Sequence, residues 1–251
     1  MVRVALGLKP QESSNTLWSY STLGLMPGAA AQAALEAAVV RVAPGMNAQN
    51  AANIWWAYAT RGREPGVGAQ ASLESAVVRV GPGMDAQSVG NIWWAYAKLD
   101  REPGSKAQTA LEVAVVRVAP GMTAQAVANT VLAHATLRLM PGTAARAALE
   151  AAVVRVGPSM TAQSVANTVF AHATLGLTPG SAALAALEAA MVRVGPSMNA
   201  QGISNTVWGL LTSAATRDVP LPACYPSLWQ ARGSMWVHCR ILVFVTCSTL
   251  A

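Results

Sequence analysis

Cysteine is confined to the end of the chain, at Cys224, Cys239 and Cys247. The preceding sequence therefore carries no disulfide framework, which fits a reducing or organellar interior, and the tail spacings match no zinc pattern. Histidine is as scarce: His134, His172 and His238 are too few and too scattered for a metal cluster. No Ser-His-Asp or Cys-His set has supporting context. Charged residues make up only 11% of the chain. No apolar run reaches the ~18 residues of a membrane span. The most hydrophobic stretch, Ile241 to Cys247, is short and follows Arg240 directly. No targeting peptide is visible at Met1. One loose G-x-G-x-x-A match, Gly66 to Ala71, follows no strand and falls in a turn between repeats, which rules out a cofactor reading. These absences lead us to expect no catalysis, no metal, no cofactor and no small-molecule substrate.

What is present is a period. Asn15, Asn53, Asn91, Asn129, Asn167 and Asn205 stand 38 residues apart. The same spacing separates Gln11, Gln49, Gln87, Gln125, Gln163 and Gln201, and also Pro27, Pro65, Pro103, Pro141 and Pro179. Fixed self-similarity at this length is the mark of a stacked array in which each unit touches its neighbours. Six units fill residues 1–212, and the first is truncated: Val2-Arg3-Val4 already matches Val40-Arg41-Val42, so the chain is expected to begin inside a repeat. Residues 213–251 show no periodic match and contain Pro220, Pro222 and Pro226, and we expect a poorly ordered tail.

Residues Pro27 to Glu64 serve as the type unit. Pro27-Gly28 is a turn signal. Ala29 to Val42 reads as a helix rich in Ala, Leu and Glu, with Leu35, Ala38, Val39 and Val42 in an i, i+3, i+4, i+7 stripe. Ala43-Pro44-Gly45 stops it. Asn47 is a good N-cap for a second helix from Ala48 to about Arg61, and Asp85, Thr123, Thr161 and Asn199 stand at the same position. On this second helix Gln49, Asn53, Trp56 and Thr60 share one face, while Ala52, Trp55 and Ala59 share the next. Two helices of roughly 14 residues, each about 20 Å long, form an antiparallel hairpin. One hairpin cannot bury both apolar faces, but stacked hairpins can. The expected fold is all-α, a right- or left-handed α-solenoid. The column Trp18, Trp56, Trp94, Trp208 is expected to fill the gap between layers, and the Asn53 column to bind a neighbouring turn's backbone inside the stack.

Partner-binding positions fall into constant and variable columns. Arg41, Arg79, Arg117, Arg155 and Arg193, with Arg3 before them, recur beside Glu36, Glu74, Glu112, Glu150 and Glu188. Two readings stay open: the arginines track successive phosphates of a single strand, or they form a salt-bridge ladder with the glutamates. One variable column reads Gln32, Gln70, Gln108, Arg146, Leu184, with Lys106 nearby. Others read Tyr58, Tyr96, His134, His172, and Asn50, Ser88, Ala126, Ser164, Gly202. A protein reading one base per unit needs such variation on a fixed scaffold, and neutral drift at exposed positions gives the same pattern. The charge balance permits a polyanion. The chain is +6. Three of its 17 cations (Arg217, Arg232, Arg240) and one of its 11 anions (Asp218) lie in the tail, which leaves the repeats at about +4.

Gly45-Met46-Asn47-Ala48-Gln49 followed by Ala52-Asn53-Ile54-Trp55-Trp56-Ala57-Tyr58-Ala59 resembles the "PQ-x-x-AN-T-L-W-A-x-A" half of octotricopeptide repeats, and Gln11 to Trp18 resembles it more closely. That family's unit is also 38 residues long, and the resemblance spans about Val2 to Leu211. In the other half, Pro65 to Gln70 stands where the family carries a proline-rich motif ending in Glu-Trp. No RAP-like domain is recognisable after Thr212. The resemblance, shared more distantly with FAST-kinase-like organellar RNA proteins, implies single-stranded RNA as partner. It also implies a role in chloroplast, or second in mitochondrial, RNA stability, processing (including rRNA processing), splicing or translation. Two other readings fit the repeats: an armadillo-like scaffold for protein partners, and a non-functional fragment of a larger repeat protein.

Overall fold

The computed structural model describes residues 5–215. Expectations placed on Arg3 and on the tail beyond Ala215, including its cysteines and His238, fall outside these residues. Eleven α-helices make up the described chain: α1 (Pro10–Thr22), α2 (Ala29–Val42), α3 (Ala48–Thr60), α4 (Val67–Val80), α5 (Ala86–Lys98), α6 (Ser105–Val118), α7 (Ala124–Thr136), α8 (Thr143–Val156), α9 (Ala162–Thr174), α10 (Ser181–Val194) and α11 (Ala200–Ala215). Among the described residues they form two compact units, residues 5–122 with 141–148, and residues 123–140 with 149–215.

Each repeat's joints follow from its residues. Proline at the second position of Ala43–Gly45 converts the end of α2 into a single 3₁₀ turn, and Gly81–Gly83, Ala119–Gly121, Gly157–Ser159 and Gly195–Ser197 repeat it. The second helix then starts on a true N-cap. The side chain of Asn47 accepts from Asn50 N–H at 2.8 Å, Asp85 from Ser88 N–H at 2.7 Å, Thr123 from Ala126 N–H and Thr161 from Ser164 N–H, both at 3.2 Å, and Asn199 from Gly202 N–H at 2.8 Å.

Its far end closes in a left-handed residue. Gly62 has φ +59°, its N–H donates to Ala59 O, and Arg63 N–H donates to Tyr58 O. These two bonds are the Schellman pattern that favours glycine. Gly24 and Gly176 hold the same place at φ +64° and +63°, but the third and fourth copies put Asp100 (+51°) and Arg138 (+53°) there.

Within the first unit, the second helices α1, α3 and α5 pack in sequence on one another, and the first helices α2, α4 and α6 pack in a parallel row, less densely. In the second unit α7, α9 and α11 pack in the same way. The closer pairing of unlike helices runs across the proline-glycine turn, from each second helix to the first helix that follows it (α1 on α2, α3 on α4, α5 on α6, α9 on α10), rather than across the 3₁₀ turn. The expected stripe is the core of the first helices: Leu35 and Val39 are fully buried, with Ala38 and Val42 nearly so.

The tryptophan expectation is overturned. Trp55 and Trp93 are the indoles sealed inside, at 0% exposure, and Trp55 meets the Tyr96 ring at 4.4 Å. Trp18 is 43% exposed, and Trp56, Trp94 and Trp208 are half-buried. Both indole columns flank alanines, so periodicity alone leaves the rotation of the helix undecided. Packing of neighbouring second helices turns the Trp55 column inward.

Candidate nucleic-acid interface

The arginines of the first helices reach back one layer. Arg41 Nη2 donates to Ala5 O at 3.2 Å and Leu8 O at 2.8 Å. Arg79 Nη2 donates to Ala43 O at 3.0 Å and Met46 O at 2.6 Å, and Arg117 Nη2 to Gly81 O at 3.3 Å and to Met84 O. In the second unit Arg193 Nη2 donates to Gly157 O at 3.2 Å and Met160 O at 2.7 Å. From Arg79 on, these carbonyls begin and follow the 3₁₀ turn; the first also accepts from the methionine N–H that closes the turn, as Met46 N–H does to Ala43 O at 3.2 Å, and a cation there faces the negative end of a helix dipole. The arginine column therefore acts as a clasp between layers while its side chains stay partly in solvent.

The glutamates do other work. In the first unit Glu36, Glu74 and Glu112 Oε1 accept from Gln32, Gln70 and Gln108 Nε2 one turn earlier, at 2.7, 3.1 and 3.0 Å. Oε2 points at the glycine that opens the next first helix. Gly142 N–H donates to Glu112 at 3.2 Å, and in the second unit Gly180 N–H donates to Glu150 at 3.3 Å. A carboxylate at a helix N-terminus completes open N–H groups and meets the positive end of the dipole. The ladder of arginine–glutamate pairs expected from the columns is replaced by these two separate clasps. An ion pair among the described residues joins Arg101 to Glu64 instead, at the exposed rim.

The predicted contact residues are thus dispersed in role. Gln32, Gln70 and Gln108 belong to the glutamate clasp. Lys106, Arg146 and Arg155 lie exposed on α6 and α8. The variable column Tyr58, Tyr96, His134, His172 is buried and cannot read a base without unpacking the core. Burial holds the Tyr58 and Tyr96 phenols well above their usual range, and Glu36 and Glu74 beside them add to it. The imidazoles of His134 and His172 each place Nδ1 2.8 Å from the carbonyl one turn back, of Thr130 and Thr168.

The surface that remains unspent is the outer stripe of the second helices. Asn53, Asn91, Asn129, Asn167 and Asn205 are half-exposed, Asn15 is exposed, and none of their side chains makes a hydrogen bond to another described residue. This corrects the expectation that the asparagines bind a neighbouring turn's backbone inside the stack: packing leaves them at the surface, and the contacts to the preceding layer's backbone are made by the arginines. One turn away on the same helices stand the exposed glutamines Gln11, Gln49, Gln87, Gln125, Gln163 and Gln201. On the other side of the asparagines come the half-exposed rings. In the first unit Trp18, Trp56 and Trp94 follow one another at centroid separations of 6.3 and 6.4 Å, and in the second unit Phe170 and Trp208 lie 5.0 Å apart. The stripe is nearly free of charge, with Glu12 and Lys98 at its margins. The i, i+4, i+7, i+11 spacing of Gln49, Asn53, Trp56 and Thr60 was sufficient to place these side chains together; what the sequence lacked was any sign that the face they share is open.

Among the described residues no three His, Cys, Asp or Glu side chains come close enough to hold a metal ion, and no helix is long and apolar enough to cross a membrane. Stacked helix pairs joined by constant polar clasps define a helical-repeat protein of the α-solenoid class. No model of a known family matches the chain, and no curated protein is significantly similar to it.

Proposed function

We propose that this is a non-catalytic scaffold that binds single-stranded RNA along the outer stripe of its second helices, in the service of organellar RNA processing, stability or translation. The observation that carries the reading is the stripe itself. It offers carboxamides with no partner in the protein beside a ridge of aromatic rings, one set per layer except the fourth, where Leu132 takes the place of the ring. A carboxamide offers both a donor and an acceptor, as base edges do, and an aromatic face stacks any base. The mild positive charge of the repeats suits a polyanion. The resemblance to octotricopeptide repeats supports the choice of RNA and of a chloroplast or mitochondrial setting.

The test is the pair Asn53→Ala with Asn91→Ala. Neither amide has a partner in the fold, so the melting temperature stays within about 1 °C of the parent, while affinity for single-stranded RNA falls about tenfold. Crosslinking of the parent followed by sequencing identifies the bound RNA. Undiminished RNA binding in the double variant would remove the stripe from the reading.

A second reading is favoured by one observation, the near absence of charge along the stripe. Asparagine rows can also hydrogen-bond the backbone of an extended peptide, as in an armadillo-like scaffold. Loss of peptide binding, with RNA never bound, would decide for it.

A further inference from the structure

A cleft of about 320 Å³ interrupts the stripe between α9 and α11, in the second unit. Gln163 and Asn167 line it from α9, Gln201 and Asn205 from α11, and Ala166 and Met198 lie at its apolar side. The four named carboxamides make no hydrogen bond within the described residues. No charged side chain lines the cleft.

Its cause is a single residue. At this point of the second helix the other layers carry a side chain. Asn50, Ser88 and Ser164 are buried there, and in the first unit Asn50 Nδ2 reaches across to Ser14 Oγ, the counterpart of Ala166, at 3.3 Å, filling the space between layers. The last layer has Gly202. A Cβ built there would stand 3.7 Å from Ala166 Cβ on α9, directed into the gap, and 3.3 Å from Asn199 Oδ1. Without it the gap stays open.

We infer that this cleft is a pocket for one nucleobase of a bound single strand, set apart from the shallow stacking positions elsewhere on the stripe. The inference rests on the RNA reading and deepens it. The volume lies at the lower end of the ~300–1,000 Å³ of small-ligand sites and suits a single heterocycle. With no charged side chain in its lining, the cleft offers no counter-ion to a phosphate, ammonium or carboxylate group, and its donors and acceptors suit a neutral polar ring. Four convergent carboxamides supply donors and acceptors that pair with the alternating edge of a planar base, while Ala166 and Met198 cover its apolar face. A base whose edge matches these amides gains hydrogen bonds that a mismatched base leaves to water, which gives a modest preference for one base. The last layer thus fixes the register of the strand, while the other layers grip it with little base preference.

The experiment uses the full chain and Gly202→Asn, which recreates the Asn47–Asn50 capping pair of an earlier layer and so preserves the helix start. Single-stranded RNA oligomers varied at one position are bound to both proteins, and free nucleosides are titrated against the side-chain amide signals of both. The expected result is a preference of about tenfold for one base at one position, lost in Gly202→Asn together with about tenfold in affinity, and nucleoside-induced shifts seen in the parent alone. RNA binding with the same affinity and base preference in both proteins would overturn the pocket and leave the stripe reading standing. Nucleoside shifts that vanish in Gly202→Asn, without oligomer binding by the parent, would keep the pocket and sink the stripe reading. Binding of neither oligomer nor nucleoside overturns both. An extended neutral peptide whose binding Gly202→Asn abolishes, where nucleosides do nothing, also overturns the assignment to a base.

Discussion

Replacing Arg79 by alanine tests the arginine clasp. The guanidinium gives one nitrogen to two carbonyls of the preceding layer, Ala43 O and Met46 O, at 3.0 and 2.6 Å. Each hydrogen bond from a charged donor is worth roughly 1.5–3 kcal/mol when shielded from water. Arg79 is exposed, so solvent screens the pair and water replaces part of what is lost. A net cost of about 1–2 kcal/mol for the two bonds together is the reasonable figure. For an array of this size that corresponds to a fall in melting temperature of roughly 2–8 °C. Because each layer touches its neighbours, the loss falls on one interface, and helical content before the transition is unchanged. Arg79→Lys keeps the charge but offers a point donor instead of a fork, and its melting temperature falls between parent and alanine. Thermal unfolding followed by circular dichroism reads all three proteins. If Arg79→Ala melts with the parent yet loses single-stranded RNA binding, the clasp reasoning is wrong and the arginine column faces phosphate after all.

Three further outcomes follow from the geometry. Gly104→Ala would set a Cβ 2.6 Å from Glu74 Oε2 and push the carboxylate off its helix start, at about 1 kcal/mol, whereas Gly28→Ala, at the same place in a layer with nothing within 4 Å, is neutral; equal melting of the two would dismiss the glutamate clasp. Arg138→Gly and Asp100→Gly relieve left-handed backbones at φ +53° and +51°, and each raises stability by about 0.5–1.5 kcal/mol, more for Arg138, in denaturant titrations. The Tyr96 hydroxyl is buried without a hydrogen-bond partner, so Tyr96→Phe leaves neutral-pH stability unchanged or raises it by up to about 1 kcal/mol. Its phenol pKa is raised by burial, so the folded state holds the proton where the unfolded chain releases it. That stabilisation is complete below about pH 10 and is lost as pH climbs above it. Difference spectra of parent and Tyr96→Phe should show tyrosinate from this residue only as the helices melt, and its appearance with the helices intact would contradict the burial.

Much of this molecule could be read before any coordinate. The 38-residue period, the proline stops, the N-caps at Asn47, Asp85, Thr123, Thr161 and Asn199, and the Leu35–Val39 stripe are local matters, since each depends on residues within a turn or two of one another. A repeated local rule gives a repeated local structure, so the all-α stack was legible. Which column meets which neighbour was not. Arg79 finds its carbonyls 36 and 33 residues back, and Glu112 finds its glycine 30 residues on. Those partners are fixed by how far one layer is rotated and shifted against the next, a quantity no single helix encodes. The same ambiguity misplaced the indoles. On a helix lined with alanine, Trp55 and Trp56 are both credible core residues, and the buried one is selected by the neighbouring helix that closes over it. Once the arginines and glutamates had satisfied the helix ends, the asparagines were left facing water, and only tertiary packing could expose that surplus.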